Sequence, residues 1–210
     1  TKIIKEITIA ARLGGGDPDG NSRLRRALDA GKAANMPNDV VERAVKKGTG
    51  DLEGVNYAEF LYEGVGPGGS LFVIDIMTDN RNRTAAEVRK IFEKGGGQLS
   101  SSGAAVWAFT QKGIIRLPQS AGTMEELFEK VLEAGGEDLS DEEGDDEQLW
   151  VVTTARDELD AVSTALEAAG LPIKEAKLEF IPNTPKEIDG SDAEKVMSLF
   201  ENLDDHDDAQ

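Results

Sequence analysis

The spacing of apolar residues changes near Gly54, and this change constrains the fold more than any other feature of the chain. Before it, apolar side chains recur at helical spacing in three short stretches, the first over Ile3–Arg12. Gly14–Gly16 ends that helix, and Pro37 fits the first turn of the third, where its missing N–H costs nothing. Residues 1–54 are therefore predicted to form a three-helix bundle.

Glycines and capping motifs set the expected ends of the other helices. The second helix is predicted from about Asn21 to Asn35, and Gly48 suits the position just after the third. Capping boxes, in which a Thr or Ser is followed three residues later by Glu, predict three further helix starts. They are Thr84-x-x-Glu87, Thr123-x-x-Glu126 and Ser191-x-x-Glu194. A fourth helix is expected after Thr154 and closes at Gly170.

Strand patterns alternate with these later helices. The predicted strands are Tyr57–Tyr62, Leu71–Met77, the pair Val106–Thr110 and Gly113–Leu117, Gln148–Thr153, and Ala176–Phe180. The order ββαββ, then αβαβ, then α suits two ferredoxin-like α+β layers, and insertion of the second into the first accommodates the final helix. We predict an α+β fold with three domains. They are a helical bundle (1–54), a middle α+β domain (55–118 plus 182–210) and an acidic α+β domain (119–181). Trp107 and Trp150 lie in apolar runs and are expected in the core.

Charge is distributed unevenly along the chain. Residues 1–50 carry ten basic and six acidic side chains, and residues 51–120 carry seven and eight. Residues 121–210 carry six and twenty-seven, which brings the formal net charge of the chain to -18. Because phosphate is repelled by the acidic part, nucleic acid is a plausible partner only for the first part of the chain.

Composition excludes several classes of protein. The chain has no cysteine, so it forms no disulfide and no thiolate metal site. No apolar run approaches the ~20 residues of a membrane span, so we expect a cytoplasmic protein with no membrane partner. Thr1 already lies inside an amphipathic pattern, and we expect the sequence to be a piece of a longer protein.

Two loops resemble phosphate-binding motifs. Gly64–Gly69 satisfies G-x-G-x-x-G, but a strand follows it instead of a helix, which favours a glycine-rich hairpin turn. Asp79–Thr84 lies between a strand and a helix start, where backbone N–H groups and two guanidinium groups would converge on an anion. A capped turn whose arginines pair with Asp75 or Asp79 explains the same residues, and both interpretations stay open.

Enzyme chemistry has little support in the sequence. The single histidine, His206, lies in the acidic run Asp204–Asp208, where a solvated tail is a better interpretation than a weak cation site. Asp75 and Asp79 could share a strand face, but an acid pair of this kind occurs often by chance. The run Asp138–Glu147 lacks EF-hand spacing and is expected to be an acidic loop. We predict no catalytic residue, no metal and no cofactor.

Basic side chains of the bundle and of the Asp79–Thr84 turn are the candidate nucleic-acid contacts. A basic helical face that is merely solvated is the alternative. The candidates are Lys2, Lys5, Arg12, Arg23, Arg25, Arg26, Lys32, Arg43, Lys46, Lys47, Arg81 and Arg83.

Several stretches together resemble the YebC/PmpR family. They are Ala11–Pro18, Ala33–Pro37, Tyr62–Gly69, Thr78–Thr84, Ala168–Leu171 and Ile181–Thr184, and in order they span nearly the whole chain. The resemblance implies a helical bundle with two ferredoxin-like domains and a cytoplasmic, non-enzymatic role in gene expression. The family normally has a basic segment ahead of the position of Thr1 and a closing strand beyond that of Gln210.

The resemblance leaves two nucleic-acid functions open. Bacterial members are classed as DNA-binding transcriptional regulators, whereas others act in translation with the ribosome. We therefore expect a regulator that binds DNA, with a translation factor that binds ribosomal RNA or tRNA as the alternative. The acidic C-terminal domain is a candidate surface for a protein partner.

Overall fold

The computed structural model describes residues 2–144 and 147–210, which form two compact units. The larger unit contains the chain up to Thr110 together with Pro182–Gln210, and the smaller unit, Gln111–Ile181, is inserted between these segments. The predicted fold class is confirmed: N-terminal helices precede two α+β regions, the second of them inserted. The division of the larger unit into a bundle and a middle domain stays a prediction. No helix in the described residues is both long and apolar enough to cross a bilayer.

The first three helices pack around one small core. They are α1 (Lys2–Gly14), α2 (Ser22–Ala33) and α3 (Asn38–Thr49), and their shared core includes Ile7, Leu24 and Ala44. The buried side chain of Asn21 fixes the junction of α1 and α2. Its amide donates to the carbonyl oxygens of Ala10 (2.7 Å) and Gly15 (2.9 Å), and its oxygen accepts from the Leu24 N–H.

Gly48 lies inside α3, so the predicted helix end at this residue is wrong. The helix continues to Thr49, and Gly50, with φ of 87°, is its C-cap. A Cβ atom on Gly48 would overlap the Thr8 carbonyl oxygen and the Ala11 side chain of α1. Gly48 is therefore required by the close approach of two helices and not by a turn.

A three-stranded antiparallel sheet forms the rest of the larger unit. Strands β1 (Ala58–Val65), β2 (Leu71–Thr78) and β3 (Gln98–Ser100) lie in the order β2-β1-β3. Helices α4 (Arg81–Lys94) and α7 (Gly190–Asp204) cover one face, over a core that includes Ile76, Phe92 and Leu199. The predicted hairpin turn at Gly64–Gly69 is confirmed, since it joins the antiparallel strands β1 and β2.

The last residues of the chain are part of this fold, and the prediction of a solvated tail is wrong. After α7, the chain lies along the outer strand β2. The Met77 N–H donates to the Asp208 carbonyl oxygen (2.8 Å), and the Gln210 N–H donates to the Asp75 carbonyl oxygen (2.9 Å). This pairing covers backbone groups that an edge strand would otherwise leave open.

The smaller unit has the β-α-β-β-α-β order of a ferredoxin-like fold. Its sheet has the strand order β5-β6-β4-β7, and its two helices pack over a core that includes Ile115, Leu127 and Leu166. In chain order, its elements are β4 (Phe109–Pro118), α5 (Met124–Glu133), β5 (Asp138–Glu143), β6 (Gln148–Ala155), α6 (Leu159–Ala168) and β7 (Glu175–Pro182).

Strand β4 differs most from the prediction. Val106–Ala108 forms a short 3-10 turn, and one continuous strand from Phe109 replaces the expected pair Val106–Thr110 and Gly113–Leu117. Because β4 pairs with β6, its residues from Gln111 onward belong to the smaller unit, ahead of the expected boundary at 118. The third strand of the other sheet is instead β3, which was not predicted.

Other local predictions had mixed outcomes. The capping box at Thr123 is confirmed, but Asn80 caps α4 in place of Thr84, and Asp189 precedes α7 in place of Ser191. The predicted acidic loop Asp138–Glu147 is wrong in its first part, which is strand β5. Residues 145 and 146 of that run lie outside the described residues.

Candidate nucleic-acid interface

The predicted anion site at the start of α4 contains a carboxylate from the chain itself. Asp208 accepts hydrogen bonds from the Lys5 ammonium (2.5 Å), the Thr84 hydroxyl (2.7 Å), the Thr78 hydroxyl (3.0 Å) and the Arg83 guanidinium (3.0 Å). Arg83 also pairs with Asp79 at 2.9 Å. Arg83 therefore fits the interpretation of this segment as a capped turn whose arginine pairs with an aspartate. Asp208 is an additional partner that the sequence did not reveal.

The Asp208 carboxylate is buried and remains charged. The residue is 3% exposed, and Lys5 is 8% exposed. Burial by itself would raise the pKa of Asp208, but the hydrogen bonds from Lys5, Thr84, Arg83 and Thr78 outweigh it and hold the pKa well below its usual range. The cluster joins α1, β2, α4 and the tail.

His206 and its neighbours do not suit a metal ion. Glu87, His206 and Asp208 are the one group of three potential ligands found in the described part of the chain. However, His206 Nδ1 accepts the Asp208 N–H (3.1 Å), so Nε2 carries the ring proton toward Glu87 (2.8 Å). Both ring nitrogens are engaged, and neither has a lone pair free for a cation.

Three other predicted contacts bind groups within the larger unit. Lys2 pairs with Asp204 (3.2 Å), and Arg12 donates to the Tyr57 carbonyl oxygen (2.6 Å). Arg23 lies between Glu6 (2.7 Å) and Glu59 (2.6 Å), and the hydrogen bond to Glu6 does most to raise its pKa. Together with Lys5, these residues attach the bundle to the sheet and tail, so they are less available for phosphate.

Arg81 is held over an aromatic ring. Its guanidinium carbon lies 4.2 Å from the centroid of Phe60, and its side chain is on the exposed first turn of α4. A guanidinium stacked in this way still presents N–H groups to solvent. Arg81 therefore keeps the donors that a phosphate requires, whereas Arg83 uses its donors on Asp208 and Asp79.

The remaining basic residues lie on the outer surface of the bundle. Arg25, Arg43, Lys46 and Lys47 are exposed, and within the described residues none of their side chains has a hydrogen bond or an ion pair. Lys32 has one long pair, with Asp29 at 3.5 Å. Arg26 is half-buried, and burial lowers its pKa.

Three of these cations form a continuous surface, which we call the α3 patch: Arg43, Lys46 and Lys47. Their spacing of i, i+3 and i+4 places them on one face in the last two turns of α3. Cations at the C-terminal end of a helix also interact favourably with the helix dipole, and this would explain their presence without a ligand. Since no carboxylate in the described chain pairs with them, they are available to an external anion.

Trp107 is exposed, and the expectation that it lies in the core is wrong. Trp107 comes directly after the loop Ser101–Val106, and the residue is 69% exposed. The loop is held by Glu63 of β1, which is 4% exposed and accepts N–H bonds from Gly103 (2.6 Å), Ala105 (2.6 Å) and Val106 (2.8 Å). Burial by itself would raise the pKa of Glu63, but these bonds outweigh it and keep the pKa below its usual value.

Sequence reasoning did not identify Glu63 or Asp208 as important. Glu63 is the single acidic residue in the second half of β1, where its neighbours are Tyr62, Gly64 and Val65, and this was an available signal. Asp208 lies in the acidic run Asp204–Asp208, and the sequence pattern does not show that it is the one carboxylate of this run that is buried. Trp150, by contrast, is half-buried against the core of the smaller unit, and its indole N–H donates to the Gly122 carbonyl oxygen (3.1 Å).

Comparison with known proteins identifies relatives over the full length. Family models described as the TACO1/YebC N-terminal domain and the TACO1/YebC second and third domain match residues 1–51 and 57–210. A "probable transcriptional regulatory protein" of Desulfatibacillum aliphaticivorans is 51% identical over the whole chain, which covers 83% of that relative. One from Chlorobaculum tepidum is 49% identical, with the whole chain and 82% of the relative covered.

A solved structure has the same fold. The crystal structure of a conserved hypothetical protein from Aquifex aeolicus aligns with a TM-score of 0.91 at 43% sequence identity. The alignment covers 100% of this chain and 85% of the other one.

Proposed function

Since the chain belongs to the TACO1/YebC family, we propose that it is a nucleic-acid-binding regulator of gene expression, with DNA as the first target to test. The names of the relatives support a regulatory role. The observation that carries the binding part is the α3 patch, where Arg43, Lys46 and Lys47 are exposed without internal partners. The proposal places the protein in the cytoplasm and assigns it no enzymatic activity.

Electrostatics explains why binding would use this part of the chain. Residues 111–181 carry six basic and eighteen acidic side chains, so the smaller unit repels phosphate. Cations that already bind internal carboxylates would have to break those bonds before they contact a phosphate. The α3 patch and Arg25 have no such cost, and they release condensed counterions when they bind nucleic acid.

Affinity for duplex DNA at several salt concentrations tests the proposal. We expect the log–log slope of affinity against salt to be about -0.9 for each phosphate that is neutralised. The variant Arg43→Gln, Lys46→Gln, Lys47→Gln should bind more weakly and show a shallower slope. A control variant, Lys130→Gln, Arg156→Gln, Lys195→Gln, makes the same change in net charge at exposed cations elsewhere. Equal losses in the two variants would contradict the proposed surface.

A second candidate function is a translation factor that binds ribosomal RNA or tRNA. The exposed indole of Trp107 favours it, since folded RNA offers unpaired bases and duplex DNA does not. Co-sedimentation with ribosomes at low salt tests it. We expect wild-type protein in the ribosome fraction and the α3-patch variant in the supernatant, and failure of the wild type to co-sediment would remove this candidate.

A further inference from the structure

The loop that carries Trp107 is fixed at several points although its side chain is exposed. Before Trp107, the Glu63 carboxylate holds three backbone N–H groups. After it, Asn183 donates from its side chain to the Trp107 carbonyl oxygen (3.2 Å) and from its backbone to the Ala108 carbonyl oxygen (2.8 Å). An exposed aromatic ring on a fixed backbone loses little conformational entropy when it binds a ligand.

The orientation of the indole ring is also determined. Its N–H donates to the Ala104 carbonyl oxygen at 3.0 Å, so the polar edge of the ring is directed toward its own loop. The residue is 69% exposed and its N–H already has a partner, so a ligand of this ring would contact the ring faces.

The exposed residues close to Trp107 in the chain are small or polar. They are Ser101, Ser102, Gly103 and Thr110. A protein interface surrounds a buried tryptophan with further apolar contacts. A single flat ring in a polar setting instead suits a flat ligand that stacks on it, and a nucleobase is such a ligand.

The Trp107 loop and Arg23 of α2 are both bonded to the same face of β1. Alternation places Glu59 and Glu63 on one face, four residues and about 13 Å apart. Arg23 of α2 binds Glu59, whereas the Trp107 loop binds Glu63. The bundle, through α2, and the Trp107 loop are thus both attached to one face of β1. Proteins that bind single strands combine basic surfaces with exposed aromatic rings.

We propose that Trp107 stacks on an unpaired base of a nucleic acid whose phosphates are bound by the basic bundle. This inference rests on the proposed function and sharpens it, because it requires single-stranded nucleic acid or an unpaired loop. Single strands of RNA and of DNA offer the same ring faces, so both are probes for the site.

Fluorescence and affinity test the stacking together. In a Trp150→Phe background Trp107 is the sole tryptophan, since the chain contains two. Titration with a twelve-nucleotide single-stranded RNA or DNA should quench its emission, whereas the matching duplexes should not. By anisotropy, Trp107→Ala should weaken single-strand binding about 5- to 100-fold and leave duplex binding unchanged.

Two substitutions separate stacking from simple hydrophobic contact. Trp107→Leu keeps an apolar side chain without a ring and should lose as much affinity as Trp107→Ala, whereas Trp107→Phe should retain part of it. Leu61→Ala is the matched control, because Leu61 lies on the same face of β1 and is 38% exposed. It should leave both the affinity and the quenching unchanged.

The outcomes distinguish this inference from the proposed function. If the α3-patch variant binds weakly but Trp107→Ala binds single strands as well as wild type does, the inference is overturned and the proposed function stands. If Trp107→Ala weakens single-strand binding while the α3-patch variant does not, stacking is supported and the proposed surface is rejected. Absence of binding to every probe rejects both.

Discussion

Lys5 and Arg83 differ from Arg43 and Lys46 in what surrounds them, although all four carry the same charge. The first two converge on Asp208, a carboxylate that is 3% exposed, and join the tail to the bundle and to α4. The other two lie on the outer face of α3, and the described chain offers them no ion pair. The first region should therefore affect stability and the second should affect binding.

The comparison shows that a count of charges does not measure a binding surface. Of the twelve basic residues predicted as contacts, Lys2, Lys5, Arg12, Arg23 and Arg83 have short internal bonds. Substitutions that treat all twelve alike would mix loss of folding with loss of affinity. The experiments below separate the two effects, and they are ordered from the largest expected change in stability to the smallest.

Asp208→Ala should have the largest effect. It removes the carboxylate that neutralises the buried Lys5 ammonium, and removal of one member of a buried ion pair costs about 3–5 kcal/mol. Urea unfolding measures the free energy. Asp204→Ala is the matched control, since Asp204, at the end of α7, also pairs with an α1 lysine but is exposed, and the substitution should cost less than about 1 kcal/mol. Equal costs would contradict the role of burial.

Low pH should reproduce part of the destabilisation that Asp208→Ala causes. The folded pKa of Asp208 lies below its unfolded value of about 3.9, so its contribution is complete above that pH and is lost as pH falls through the folded pKa. Stability measured from pH 7 to pH 2 should therefore fall less steeply in Asp208→Asn than in wild type. Parallel curves below pH 4 would show that Asp208 is not the charged anchor.

Glu63→Gln should destabilise the larger unit by about 1.5–3 kcal/mol, because a neutral amide replaces a buried carboxylate that accepts three backbone N–H bonds. Hydrogen exchange should increase at Gly103, Ala105 and Val106 before it increases in the bundle. Glu59→Gln, at an exposed position of the same strand, is the control and should change exchange in this loop very little. Unchanged exchange at the three amides would contradict the anchoring role of Glu63.

The coupling between Phe60 and Arg81 should be the smallest of these contributions to stability, and Phe60→Leu probes it. It removes the ring under the Arg81 guanidinium, and a contact of this kind at an exposed site contributes about 0.5–1 kcal/mol. Thermal unfolding with an Arg81→Gln, Phe60→Leu double-mutant cycle isolates the pair. A coupling energy of zero would show that Arg81 is held by something other than the ring.

The sequence predicted local structure well where local rules decide it. The capping box at Thr123 formed as expected, and the glycine loop at Gly64–Gly69 was assigned to a hairpin because a strand follows it. The resemblance of short motifs to the YebC/PmpR family led to the correct family and fold class. In these cases the signal and the structure that it specifies lie within a few residues of each other.

Contacts between distant residues were not predictable in this way. Trp107 lies in an apolar run, but Glu63, more than forty positions earlier, captures the loop before it and leaves the indole exposed. Asp208 is one of several acidic residues near the C-terminus, and its burial depends on Lys5 and Thr84 from other parts of the chain. A charge pattern alone does not distinguish a buried carboxylate from a solvated one.

The measurement that tests the central claim most directly is the salt dependence of nucleic-acid affinity in the Arg43→Gln, Lys46→Gln, Lys47→Gln variant. We predict an unfolding free energy within about 0.5 kcal/mol of wild type for each substitution. We also predict a salt slope on duplex DNA that is shallower by up to about 0.9 for each lost phosphate contact. A wild-type slope and affinity in this variant would contradict the account, because the exposed cations of α3 would then not bind phosphate.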